Sequence, residues 1–141
     1  PATDIRLVSD AMGGSAERLM AGKTELIVAT LDGLLAEAVL AIPYTTVNII
    51  PVAHADYGPA RSHTRLSNAE MRPYVQVVVA GTGQGPYDQS RDVVPDGLRW
   101  TVSDFAAKKE IILAGMGWGG LPEPVFQFRS GNLFGKQRDT P

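Results

Sequence analysis

The feature that most constrains this chain is the segment from Thr101 to Pro122, in which a helix pattern with capping residues is followed closely by glycines. Ser103 or Asp104 can accept hydrogen bonds from the unpaired amides of the first turn, and Gly115 can adopt the left-handed conformation that ends a helix. Pro122 cannot continue a helix, so we predict a tight glycine and proline turn there. Glycines that follow a helix do not form a phosphate-binding loop, which precedes its helix. The order therefore favours a sensing or binding element.

Short apolar segments separated by helix signals predict an α/β fold for the rest of the chain. Residues 25–29 form a nearly continuous apolar run, which is typical of a parallel strand covered by helices on both faces. Between this strand and an earlier one, Ser15 can cap a short helix and Gly22 can end it, which gives a right-handed β-α-β unit. The predicted strands are residues 5–8, 25–29, 44–52, 74–80 and 98–102.

Three further segments carry local signals. Ser67 and Glu70 have the spacing of a capping box, and Pro73 ends that helix after about one turn. The many turn-forming residues between positions 81 and 95 predict a long loop. Loops of this length often border binding sites. Residues 34–42 have helical propensity, but propensity is a weak guide against tertiary context, so their structure stays open.

Composition and charge exclude several classes of function. The chain of 141 residues is 44% hydrophobic, which is enough for one core of ordinary size in one domain or two small lobes. Its net charge is −2 and its lysines and arginines are scattered, whereas a DNA-binding surface needs a basic stripe. Cysteine is absent, which excludes disulfides and thiolate chemistry. No apolar run is long enough to span a bilayer and no signal pattern opens the chain, so we expect a cytoplasmic protein without membrane contact.

Catalytic and metal-binding constellations are weak. His54, Asp56 and His63 lack further ligands at the spacing of a tetrahedral site, so we expect polar loop residues and no metal. Ser90 and Asp88 could be combined with His63 into a triad, but the strained Gly-x-Ser-x-Gly elbow is absent. We therefore expect neither enzymatic activity nor a cofactor.

Several motifs resemble the effector-binding domain of LysR-type transcriptional regulators. In that family an aliphatic strand is followed by a strand that ends in Arg-Trp-x-Val-Ser-Asp, and then by a helix that closes in Ala-Gly-x-Gly-Trp-Gly-x-x-Pro. Residues 74–79, 99–104 and 114–122 match these three elements in the same order.

The resemblance extends over roughly residues 4–133, and it includes earlier elements. Glu25 stands where the family usually has aspartate. The family's DNA-binding winged helix, and the first strand and helix of its sensing domain, would precede Pro1, and its closing strand and helix are not recognisable after Leu133. We therefore expect an internal fragment. The matching earlier strand, helix and strand are residues 5–8, 18–23 and 25–29.

The resemblance implies a particular fold and function. The fold would be of the type II periplasmic-binding-protein kind, with two lobes on Rossmann-like sheets and a truncated first lobe. Residues 1–42 would be the partial first lobe with its crossover, residues 43–128 the second lobe, and residues 129–141 a return segment or tail. A small-molecule effector, such as a carboxylate, would close the lobes and reorient a homo-oligomer. DNA would be contacted only through the absent N-terminal region.

Ligands of open α/β sheets bind beyond the carboxyl ends of the strands, where backbone amides can receive a carboxylate. The predicted junctions of strand and helix are residues 10–15, 30–33, 80–83 and 117–119. The positions that match the family's effector cleft are Met12, Gly13, Gly81, Thr82 and Trp118. Thr82 is the best hydrogen-bonding candidate among them.

Two other functions fit the same sequence. One is a stand-alone solute-binding module with the periplasmic binding fold, which would require a secretion signal upstream. The other is a self-association module without a ligand, in which exposed sheet edges pair symmetrically.

Overall fold

The chain is built around a five-stranded mixed sheet. The computed structural model describes residues 2–30, 39–81, 93–123 and 133–135. Across the sheet the strand order is β3-β2-β4-β1-β5, with β2 parallel to β3 and β4, and β1 antiparallel to β4 and β5. The α/β class predicted from the sequence is confirmed. In chain order the strands are β1 (Ile49–His54), β2 (Gln76–Val79), β3 (Arg99–Val102), β4 (Trp118–Pro122) and β5 (Leu133–Gly135).

The parallel pair of β2 and β3 agrees closely with the sequence. All four residues of β2 are buried, as expected of a short apolar run that is covered on both faces. Val77 lies opposite Trp100, so the two predicted strands belong to one sheet. A helix packs on this sheet and closes the core. The buried core residues are Ile50, Val52, Val77, Ile112 and Leu121.

That helix, α3 (Phe105–Leu113), has both ends that the sequence predicts. Asp104, rather than Ser103, is the N-cap, and its Oδ1 accepts a hydrogen bond from the Ala107 amide at 2.6 Å. Gly115 has a φ of 72°. Its amide and the next one donate to carbonyls of the last helical turn at 3.0 and 3.2 Å, the two hydrogen bonds of a Schellman motif.

The turn predicted after α3 is wrong, because Trp118–Pro122 is strand β4 in the interior of the sheet. The glycines of this segment allow neighbouring elements to pack closely against the backbone of β4. A Cβ on Gly119 would lie 2.6 Å from the carbonyl oxygen of Val77 and 2.7 Å from Cε of Lys108. A strand glycine therefore lets α3 and β2 approach the backbone of β4 more closely than any side chain would allow.

The β-α-β unit predicted near the start of the chain is wrong. Residues 5–8 and 25–29 adopt no regular strand, and Leu7 and Val28 are 93% and 90% exposed. Their apolar pattern predicts strands buried on both faces, which requires strands and helices packed against them. Within the described residues, no strand pairs with either segment.

The helix of this region is present with a different start. It is α1 (Gly14–Met20), and its N-cap is Gly13, which makes no side-chain hydrogen bond. Ser15 lies inside the helix, so its predicted capping role is wrong. Gly22 has a φ of 68° and ends the helix as predicted, because its left-handed conformation redirects the chain.

The remaining elements precede β2 in the chain. β1 starts later than the predicted strand of residues 44–52 and continues past Pro51 to His54. A 3-10 helix, Gly58–Arg61, follows it. The helix α2 (Asn68–Met71) then begins with the predicted capping box, in which Ser67 and Glu70 bond to each other's amides. Residues 39–42 are irregular, and the rest of the open segment, residues 34–38, lies outside the described residues.

Candidate functional site

The carboxyl ends of β2 and β3 meet at one edge of the sheet. The Ala80 amide donates to the Val102 carbonyl at 2.8 Å, which extends the parallel pairing beyond the last residue of β2. Gly81 follows Ala80 in the chain and so lies at this end of the β2–β3 pair, where β3 passes into α3. We call this place the carboxyl edge. It is where open α/β sheets bind ligands, as the sequence predicts for Gly81. Thr82 lies outside the described residues.

The first turn of α3 adds hydrogen-bond donors to the carboxyl edge. Asp104 caps the Ala107 amide, but no described residue accepts a hydrogen bond from the amides of Phe105 and Ala106. Amides at a helix start point away from the helix and carry the positive end of its dipole. The Asp104 side chain is exposed and adds a negative charge at the same place. The carboxyl edge therefore offers two amide donors beside one carboxylate.

The structure separates Trp118 from Gly81. Trp118 lies opposite Gln76, the first residue of β2, and its amide donates to the Val75 carbonyl at 3.0 Å. Gly81 is five residues further along, about 16 Å away at roughly 3.3 Å per residue of extended chain. Residues 117–119 are thus a junction of helix and strand at the amino end of β4, not the predicted carboxyl-end junction. Trp118 and Gly81 do not line one notch of this sheet.

The indole of Trp118 is partly buried in the sheet. Its Nε1 is buried and finds no hydrogen-bond partner in the part of the chain that the structure describes. Leaving such a donor unpaired costs roughly 1–3 kcal/mol. The structure therefore places Trp118 within the sheet, away from the carboxyl edge.

Met12 and Gly13 lie in the loop that opens α1, an element separate from the carboxyl edge. Met12 has a φ of 52°, and Gly13 is the N-cap of the helix. Beside them the Asp10 carboxylate accepts a hydrogen bond from Nε of Arg18 at 2.6 Å. This ion pair connects the loop to α1. The negative charge paired with Arg18 is therefore the loop's own Asp10 carboxylate.

Lys108 is a buried cation that the sequence pattern does not reveal. It is 7% exposed, with its stem against Gly119 and its Nζ 5.6 Å from the centroid of the Phe105 ring. Burial lowers the pKa of Lys108 to about 8. The one feature of the sequence that could have indicated this burial is Gly119. A side chain at that position of β4 would collide with the stem of Lys108.

His54 and Asp56 form a local polar turn. The Asp56 amide donates to Nδ1 of His54 at 3.1 Å, and its carboxylate lies 3.9 Å from the same nitrogen. Within residues 2–30, 39–81, 93–123 and 133–135, no group of three histidine or acidic side chains could hold a metal ion. No helix in those ranges is long and apolar enough to cross a membrane.

Comparison with known proteins finds a solved structure with a similar fold but no matching family. No family model and no curated protein matches the sequence. Among solved structures, a cysteine-to-aspartate mutant of the OxyR regulatory domain from Pseudomonas aeruginosa matches with a TM-score of 0.52 and 14% sequence identity. The match covers 86% of this chain and 61% of that chain, so this chain spans about three fifths of its length. The fold is therefore similar to that of the OxyR regulatory domain.

Proposed function

We propose that the chain is part of the effector-sensing domain of a LysR-type transcriptional regulator. The observation that carries the proposal is the carboxyl edge, where Gly81 follows β2 and α3 begins directly after β3, in a fold similar to the OxyR regulatory domain. The family-like motifs at residues 99–104 and 114–122 support the same function, because they form β3, the cap of α3, and β4.

The chemistry of the carboxyl edge favours a small monocarboxylate as effector. A carboxylate can accept hydrogen bonds from the amides of Phe105 and Ala106, and the absence of a side chain on Gly81 permits close approach. The Asp104 carboxylate repels a second negative charge, because like charges at a few ångströms interact by about 1 kcal/mol or more even in water. We therefore expect monocarboxylates to bind more tightly than dicarboxylates.

Regulation would follow from a difference in affinity between two arrangements of the protein. Residues 1–42 would contribute to a first lobe, residues 43–128 to the second, and residues 129–141 to a return segment. An effector that binds the closed arrangement more tightly shifts the population toward it. In a homo-oligomer, that shift would reorient the DNA-binding regions and so control transcription.

A ligand screen by thermal unfolding tests this function. A monocarboxylate present at about ten times its Kd should stabilise the chain by about 1.4 kcal/mol and raise Tm accordingly. Gly81→Val should abolish the gain, because its side chain fills the carboxyl edge. Ala55→Val adds a similar volume in an exposed turn after β1 and should leave the gain intact. A gain that survives Gly81→Val would refute the assignment of the site.

A stand-alone solute-binding module would show the same ligand response. The coding sequence upstream of Pro1 separates the two functions. A helix-turn-helix of about sixty residues supports the regulator, and a secretion signal supports the solute-binding module.

Self-association without a ligand is a second candidate, and a specific observation favours it. Apolar side chains of the irregular segments are largely exposed, including Leu7 at 93%, Val28 at 90% and Leu40 at 91%. Exposed apolar groups of this kind are typical of protein interfaces when they are contiguous. Sedimentation velocity of the chain and of a Leu7→Ser, Val28→Ser variant tests it: association that the variant loses, with no ligand found in the screen, would favour this candidate.

A further inference from the structure

A groove lies near the amino end of β2, at the opposite end of that strand from the carboxyl edge. It forms where the 3-10 helix Gly58–Arg61 and the start of α2 approach Tyr74. Its volume is about 470 Å³, which falls within the range of small-molecule sites. Because the groove shares no residue with the carboxyl edge, it can take a ligand of its own.

The floor of the groove is an aromatic ring held in place by its neighbours. A Cβ on Gly58 would lie 2.9 Å from Cε1 of Tyr74, so the ring lies directly against the backbone of the 3-10 helix. Tyr57 contacts the same ring edge to face, with centroids 5.7 Å apart and an interplanar angle of 67°. Three apolar side chains line the sides of the groove, namely Pro59, Leu66 and Pro73. The two prolines have a fixed φ, which makes these sides rigid.

A cation and an anion also line the groove. Arg61 is 68% exposed, and its nearest anionic contact is a long one, 3.4 Å from Nη2 to Oδ1 of Asp56. Such a contact at the surface contributes little, so the guanidinium can pair with a ligand carboxylate. Glu70 receives hydrogen bonds on Oε2 from the amide and the hydroxyl of Ser67, both at 2.8 Å. No described residue donates to its Oε1.

We infer that this groove binds a free α-amino acid with an aromatic or branched aliphatic side chain. The ligand carboxylate pairs with Arg61, the ammonium group donates to Oε1 of Glu70, and the side chain packs on the Tyr74 ring between the prolines. Glutamate is ionised at neutral pH, and hydrogen bonds from Ser67 lower the pKa of Glu70 further. A ligand with both charges satisfies both groups, whereas a simple acid or amine satisfies only one.

An NMR titration of the 141-residue chain with L-phenylalanine tests the inference. Saturable amide shifts are expected at Gly58, Leu66 and Tyr74. The analogues 3-phenylpropanoate and phenethylamine, which each lack one charge, should bind at least tenfold more weakly, because a hydrogen bond to a charged group contributes about 1.5–3 kcal/mol. Equal binding of either analogue overturns the inference, and so does the absence of saturable shifts at millimolar L-phenylalanine.

Matched variants locate the site. Arg61→Gln and Glu70→Gln should each weaken L-phenylalanine binding at least tenfold, and glutamine at position 70 retains a capping partner for Ser67. Arg65→Gln removes an exposed charge from the same loop outside the groove and should leave binding unchanged. Binding that Arg61→Gln leaves intact would exclude this groove. Shifts confined to Gly81 and Phe105 would likewise exclude it, while leaving the proposed function in place.

Discussion

Replacing Lys108 by methionine should stabilise the protein at neutral pH. The side chain is buried against Gly119, and within the described residues no carboxylate forms an ion pair with it. Burial lowers the pKa of Lys108 from 10.5 to about 8. The difference between these two pKa values corresponds to about 3 kcal/mol in the stability of the charged form. Methionine keeps an unbranched apolar stem and removes the charge, so Lys108→Met should gain up to about that amount at pH 7.

The pH dependence fixes the sign of the effect. Below pH 8 the lysine is charged in both the folded and the unfolded chain, so the folded state carries the full cost of burying the charge. Between pH 8 and 10.5 the folded chain has released a proton that the unfolded chain retains, so stability rises with pH. From pH 7 to 9.5 the contribution of Lys108 should improve by about 2 kcal/mol. The advantage of Lys108→Met should shrink by the same amount.

Urea unfolding at pH 7 and pH 9.5 measures both differences. Lys109→Met removes the same charge from a more exposed position of the same helix and controls for net charge and helix propensity. The reasoning fails if Lys108→Met destabilises the protein at pH 7, or if its difference from the original chain stays constant between the two pH values.

Three further predictions address packing and capping. Gly119→Ala should destabilise the fold by roughly 1–3 kcal/mol in urea unfolding, because its Cβ would lie 2.6 Å from a β2 carbonyl oxygen; an unchanged midpoint would contradict the packing of β4. Asp104→Ala should cost about 1 kcal/mol and Asp104→Asn much less, because asparagine still caps α3; equal losses would rule out the cap. Because the pKa of Glu70 is lowered from 4.5, its contribution is lost as pH falls below that value. Acid unfolding of Ser67→Ala should therefore depend less steeply on pH, and an unaltered dependence would count against the capping box.

The helix caps and helix ends could be predicted well because their signals are local. Asp104, Gly115 and the capping box of Ser67 with Glu70 each satisfy backbone groups within a few residues, and the structure confirms all of them. A buried run such as β2 is also unambiguous, since four consecutive buried residues suit a central parallel strand.

The errors arise where the meaning of a pattern depends on distant contacts. The glycines at 119 and 120 predict a turn by composition, but the approach of α3 and the neighbouring strands makes them necessary inside β4. Residues 5–8 and 25–29 have strand-like composition and no pairing strand among the described residues. The position of Trp118 at the amino end of β4 likewise follows from sheet order, which spacing along the chain does not encode.

The most direct test of the proposed function is amide chemical-shift mapping with a monocarboxylate that stabilises the chain. If the carboxyl edge binds the effector, the largest shifts will be at Gly81, Phe105 and Ala106, and Gly81→Val will remove them. Saturable shifts confined to the amino end of β4 around Trp118, with Gly81 and α3 unaffected, would contradict the account.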